Sequence, residues 1–332
     1  MLLPTLLTWC MLAIATTQTA TPANRRQASG SGSSSVTQLY EFPNDTPIEN
    51  IHLRGNGNLL LTSTGTNTVF SLDPSAPVPS PNVLATLNGT TGLTGIAAIA
   101  LDTYAVSGGA ASPYKFANNS MSVAVISAPG GCNVGTVLYS IPVPNTQMLN
   151  GMAALPGTPH VVLSSDSIGA RIFRIDTLTR TVDVAFADPL LGPGEGAIVT
   201  LGANGLKIRD GYLYFANSGQ GFFARVAIDG QGNKVGDIET LATLEDVGFS
   251  NAYDDFAFDG SGNAYVALHS FSVVKITPEG EQTVFAGGGN STFIKEPTSV
   301  ALAGDGKAIF VSTGGATVDG TVYGGQVIKV DL

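Results

Sequence analysis

Cysteine is scarce in this chain. Only Cys10 and Cys132 occur in 332 residues, so no network of disulfides organises it. Charge is scarce too: 12% of residues are charged, and 15 Lys and Arg face 25 Asp and Glu, for a formal charge of −10. An acidic chain with so few bases is a poor match for a polyanion, which argues against DNA or RNA as a partner. Trp occurs once, at position 9. No Gly-x-Ser-x-Gly elbow, Walker loop, His-Glu-x-x-His or Cys-x-x-Cys pair is present, which sets aside the chemistries those motifs carry. What the chain has instead is 41 glycines, 18 prolines and 43% hydrophobic residues. Abundant glycine with many β-branched residues points to a β-rich domain full of tight turns.

Residues 1–20 are apolar and uncharged, and the chain then turns polar. This stretch is too short and too rich in Thr for a membrane span and reads as a secretory signal peptide, though it lacks an early Lys or Arg. Residues 21–35 read as a flexible leader, with Arg25-Arg26 as a dibasic pair within it. Removal of residues 1–26 takes two arginines and no acid, leaves a charge of −12, and leaves Cys132 as the one cysteine. Cys132 follows two glycines, with no His nearby, and reads as part of a turn rather than a nucleophile. Sequons at Asn44, Asn88, Asn118 and Asn290 agree with a secreted glycoprotein. No second apolar segment or lipid anchor is evident.

Internal repetition carries the fold. Six segments share one pattern: an apolar alternating run, a Gly/Asp turn, a second apolar run, then Ser, Thr or Gly. They cover 48–64, 94–109, 149–167, 203–218, 253–270 and 296–315, and each is followed by another strand-like run such as RIFRID or SVVKIT. Starts lie about 43 to 55 residues apart, the length of a four-stranded blade. Turns such as RDG and DGSG close the hairpins. The expectation is an all-β, six-bladed β-propeller over residues 36–332, with VTQLYEF (36–42) joining the last blade to close the ring.

In this hairpin order the starts of the first strands crowd one end of the central channel. Those positions are Glu49, Gly95, Asn150, Asn204, Asp254 and the stretch Glu296-Pro297-Thr298. Acids near the axis require pairing, hydrogen bonds or a cation. Two carboxylates and two amide oxygens suit a hard divalent ion. Alternatively the Asn-Gly pairs are turns and the acids cap backbone amides. Loops on this face place Tyr114, Phe116, Phe222, Phe223 and Tyr323 after second strands, and Phe249, Tyr253 and Phe293 before first strands. Such a mouth favours small apolar or planar substrates, unless the rings pack the loops together. His269 follows a second strand close to Asp254 and Asp255, as an acid–base group or a structural one. His52 and His160 read as structural.

The segments ENIHLRGNGNLLLT, LNGMAALPG, GANGLKIRDGYLYFAN and YDDFAFDGSGNAYVA resemble the regucalcin/gluconolactonase-type six-bladed propellers, in particular their fungal secreted branch. The resemblance covers nearly all of the mature chain. The lactonase pattern of that superfamily falls on Glu49, Asn150, Asn204 and Asp254, which implies a Ca²⁺, Mg²⁺ or Zn²⁺ ion with Asp254 moving the proton. This chain departs from the pattern in reading Glu49-Asn50-Ile51 for Glu-Gly-Pro and Tyr253-Asp254-Asp255 for Pro-Asp-Gly, and in lacking a clear sugar-binding Arg. The fungal branch includes hetero-Diels–Alderases that join a tropolone quinone methide to a sesquiterpene such as humulene, without a cofactor. For such a reaction, the topology of this chain offers Tyr114, Phe116, Phe222, Phe223, Tyr253 and Asp255 for substrate contact, with Asn150, Asn204, Asp254 and His269 as the polar groups. The preferred reading is such a cyclase. A metal-dependent lactone hydrolase is the alternative, and a non-catalytic binding propeller the second.

Overall fold

Alternation along each strand sends successive side chains to opposite faces. With sheets arranged radially, each face then packs on a different neighbour. The computed structural model shows this arrangement. It describes residues 26–27, 35–131, 134–269 and 271–332. The expected signal peptide, most of the leader, Trp9, Cys10 and Cys132 lie outside the described residues.

Five blades are consecutive four-stranded antiparallel sheets, with inner strands Asn50–Leu53, Gly92–Ala100, Leu149–Leu155, Ala203–Arg209 and Tyr253–Phe258. The sixth begins at Pro297–Leu302 and continues through Ala308–Thr313 and Gln326–Asp331. Its next strand is Val36–Glu41 from the other end of the chain, antiparallel to Gln326–Asp331. The ring therefore closes as the sequence implies, by a strand from the N-terminal side. Among the described residues no helix is long and apolar enough to cross a membrane.

The core is divided into six hydrophobic clusters, each spanning one junction between adjacent blades. Phe222 and Phe223 show how. They are neighbours on the third strand of blade four, Phe222–Ile228, so Phe222 packs toward blade three and Phe223 toward blade five.

Near the channel the junctions are tied by buried hydroxyls. Thr62 Oγ1 of blade one donates to the Thr94 carbonyl of blade two at 2.5 Å, and Thr94 Oγ1 donates to the Leu149 carbonyl of blade three at 2.7 Å. Ser165, Ser218 and Thr298 likewise donate to the carbonyls of Asn204, Tyr253 and Ile48 in the next blade. The Ser and Thr residues that recur at second-strand ends thus supply much of the stitching. Replacing Thr94 by Val, equal in size but without the hydroxyl, is expected to cost about 1–3 kcal/mol by leaving a buried acceptor unmet. Urea unfolding reads this, and a change below about 0.3 kcal/mol would show the belt to be incidental.

Candidate functional site

Bulges set the channel residues. In blades two to five the inner-strand register breaks over a residue pair: Thr94-Gly95, Asn150-Gly151, Asn204-Gly205 and Asp254-Asp255. A bulge reorients the side chains at that point. Blade two therefore offers Thr94, not Gly95, at the level of Asn150, Asn204 and Asp254. Gly95 serves packing: a Cβ there would lie 2.2 Å from the Asn150 carbonyl oxygen, and one on Gly151 2.3 Å from that of Asn204. Only glycine lets these backbones approach so closely.

Above the bulges lies a cavity of about 470 Å³. Its polar floor includes Glu49, Asn204, Asp254, His269 and Glu296. Its walls and roof include Tyr114, Phe116, Met148, Leu201 and Phe249. The size is within the ~300–1,000 Å³ usual for small-molecule sites. A short hairpin, Ala111–Ser112 with Lys115–Phe116, carries Tyr114 at its turn with φ of 57°. The Tyr114 ring meets Phe249, from the connection between blades four and five, at 5.7 Å. Both rings are otherwise open to solvent, 63% and 52% exposed, so an aromatic pair borders the mouth.

On the floor, His269 Nε2 and Asp254 Oδ2 are 3.0 Å apart. Burial pulls the His269 imidazolium down, but the Asp254 hydrogen bond and the charges of Asp254, Glu296 and Glu49 outweigh it, leaving its pKa raised. Burial raises the Asp254 pKa despite the pull of His269. Burial and the Asp254 charge push Glu49 up to about 8. A crowded set of carboxylates facing one imidazole in an enclosed space holds protons more tightly than the same groups in water. Glu296 adjoins this set at φ 55°, a left-handed conformation uncommon outside glycine and directly before Pro297.

Three amide atoms here lack partners among the described residues. Asn150 is 1% exposed with neither Oδ1 nor Nδ2 hydrogen-bonded, and Asn204 donates from Nδ2 to Ser218 Oγ while its Oδ1 is unmet. The unmet Asn204 Oδ1 shares the floor with Glu49 and Asp254, and the oxygen-only set Glu49, Asn150, Asn204 and Asp254 would suit Ca²⁺ or Mg²⁺ better than Zn²⁺. Among the described residues no group of three or more His, Cys, Asp and Glu forms a metal cluster, so the amides would have to contribute.

Several expected residues lie elsewhere. Phe222 and Phe223 are packed in blade junctions and do not line the cavity, because strand alternation points them sideways into neighbouring blades. Tyr253 borders the cavity, but its ring is buried and its hydroxyl donates to Gln282 Oε1. Asp255 lies below the floor, pairing with Lys207 and accepting from Ser299. Asn150 shares the bulge register with Asn204 but is not on the cavity wall. Val199 and Leu201, which do line it, come from the long connection between blades three and four. Its length was the one signal for them in the sequence.

No family model matches this chain. A curated protein of a Phoma species, described as "Putative hetero-Diels-Alderase", is 27% identical over 292 residues, 80% of this chain and 81% of the relative. Among solved structures, a luciferin-regenerating enzyme superposes with a TM-score of 0.65 at 17% identity, covering 90% of this chain and 95% of its own. A calcium-binding regucalcin from Agrobacterium tumefaciens gives 0.59 at 14%, covering 88% and 92%. A gluconolactonase from Xanthomonas campestris gives 0.59 at 13%, covering 91% and 90%. At these identities the structural likeness speaks for fold, and the chain has the six-bladed fold of the regucalcin/gluconolactonase-like propellers.

Proposed function

We propose that this chain is a natural-product cyclase of the hetero-Diels–Alder kind, joining an electron-poor oxygenated diene such as a tropolone quinone methide to an apolar polyene. The observation that carries this reading is the cavity, walled by aromatic and aliphatic side chains over a polar floor. The sequence relative described as a hetero-Diels-Alderase supports it. The cycloaddition forms two σ bonds from π electrons already in the partners, so no hydride, nucleophile or external redox partner is required. The protein's task is to hold both partners in one orientation and exclude water, and proximity alone lowers such a barrier by several kcal/mol. Tyr114, Phe116 and Phe249 supply the apolar surface. The His269 nitrogen not facing Asp254 is a donor for the diene's carbonyl oxygen, polarising it toward the alkene. Asn204 is the weaker donor candidate, since its amide N–H₂ already serves Ser218.

The test is turnover and product stereochemistry with a quinone methide and a sesquiterpene polyene. Tyr114→Ala combined with Phe249→Ala is expected to lower turnover about tenfold, roughly 1.4 kcal/mol of barrier, and to move the isomer ratio toward the uncatalysed one. EDTA is expected to leave both unchanged. Chelator-sensitive turnover would overturn the reading.

The unmet oxygens of Asn150 and Asn204 favour a second reading, a metal-dependent lactone hydrolase. A divalent ion held by Glu49, Asn150, Asn204 and Asp254 would supply Lewis-acid activation of a lactone carbonyl. Asp254 and His269 would then orient water and carry a proton. Lactone hydrolysis that vanishes in Asp254→Ala and with EDTA would establish it; no hydrolysis in the metal-loaded protein would remove it. We also propose a secretory route. All four sequon asparagines are exposed, so a mass loss on endoglycosidase treatment of the protein made in a eukaryotic secretory host is the expected result.

A further inference from the structure

Beneath the bulges the channel opens into a second cavity of about 670 Å³ that shares no lining residue with the upper one. Between them lies a bonded layer in which Ser299 Oγ donates to Asp255 Oδ2 at 2.7 Å and Lys207 Nζ donates to Asp255 Oδ1 at 2.5 Å.

Each inner strand lines this lower cavity, with Asn50, Arg209 and Asp259 among the polar residues, and one position, two residues past the bulge level, repeats in all six blades. Blades two, three, five and six contribute Ala97, Ala153, Ala257 and Ala301. Blades one and four, opposite each other in a six-bladed ring, contribute His52 and Lys207. Four alanines hold the bore wide, while an imidazole and an ammonium reach in from facing walls. His52 makes no hydrogen bond to a described residue; its one ring contact is an edge against Tyr104 at 5.8 Å. Lys207 spends one N–H on Asp255 and lies 5.2 Å from the centroid of the Phe256 ring.

We propose that this lower cavity is a second small-molecule site, for a neutral, mostly apolar ligand carrying a carbonyl and a hydroxyl. The apolar walls set the body of the ligand. Both cations that line this cavity are already paired, Lys207 with the buried Asp255 and Arg209 with Asp210, so an anionic ligand would bring an uncompensated charge beside those carboxylates. A carbonyl oxygen takes a spare ammonium N–H without that cost. Burial and the Lys207 charge hold His52 down at about 4, so its neutral ring accepts from a hydroxyl. The proposal stands apart from the activity assigned to the upper cavity, since it uses none of its residues.

The test uses 4-hydroxyacetophenone as probe, titrated into the full chain while the imidazole nitrogens are followed by long-range ¹H–¹⁵N NMR. The chain has 3 His, so His52 is resolved from His160 and His269 by single variants. Saturable movement of the His52 signals with His160 unmoved is expected, with 4-hydroxybenzoate binding more weakly. His52→Ala and, separately, Ala98→Phe, a plug at an exposed position of the wall, are each expected to weaken binding about tenfold or more, with melting temperature as the control for folding. Movement of His269 alone, no movement at millimolar probe, or affinity unchanged by Ala98→Phe in a folded protein would overturn the proposal.

Discussion

Phe223→Ala is expected to cost about 3–5 kcal/mol of stability, a large part of what a domain usually has, while leaving product stereochemistry in the folded fraction unchanged. Phe223 is 1% exposed, and its ring meets Phe256 edge-on at 4.8 Å and stacks near Tyr214 at 6.2 Å. Truncation opens a void in the blade four–five junction that strands bonded on both sides cannot collapse to fill. Phe249→Ala is the contrast. With its ring half in solvent, Phe249 is expected to shift stability by no more than about 0.5 kcal/mol and to act on substrate capture and selectivity. Chemical denaturation of both variants beside their product ratios separates the roles. A Phe223→Ala protein of near-native stability with altered stereochemistry would place that ring at the cavity after all.

Raising the pH of chelator-treated protein from about 6.5 to 8 is expected to lower its melting temperature, and millimolar Ca²⁺ or Mg²⁺ is expected to flatten that slope if the floor binds a cation. Glu49 titrates at about 8 when folded against an ordinary value of 4.5, and His269 is raised above 6.5. For both, the folded chain keeps a proton that the unfolded chain releases, so stability falls as pH rises through the interval. His269 contributes fully below 6.5, and that contribution disappears as pH passes its raised folded value. His52 works the other way. Held down at about 4 against 6.5, it adds stability as pH rises between those values, which offsets Glu49 there and leaves the window above 6.5 clear. The lowered Asp73, Asp176 and Asp259 act in acid, below their ordinary 3.8. A cation at about 100 times its Kd adds about 2.7 kcal/mol by mass action and keeps Glu49 ionised. Scanning fluorimetry across pH, with and without the ion, reads the slope, and Glu49→Gln should remove much of it. A melting temperature that climbs from pH 6.5 to 8 in chelator, or an unchanged slope in Glu49→Gln, would show that Glu49 is not the titrating group.

The amino-acid sequence by itself determined the number of blades and the manner of closure, because both are written locally. Gly/Asp turns and period-two apolar runs repeat six times, and VTQLYEF stands before the first repeat as a spare strand, which pairs with Gln326–Asp331 at the other end of the chain. It also placed Glu49, Asn204, Asp254 and His269 near one another, since strand starts and second-strand ends meet at one end of each hairpin. Tertiary structure decided what each side chain faces. Bulges exchanged Thr94 for Gly95 and turned Asp255 away from the Asp254 side toward Lys207. Strand alternation buried Phe222 and Phe223 in two different junctions, and connections distant in sequence brought Tyr114 and Phe249 together at the mouth. A repeat reports pairing between neighbours in the chain; the direction of a side chain depends on bulges and on packing between blades, which are settled only when the ring is assembled.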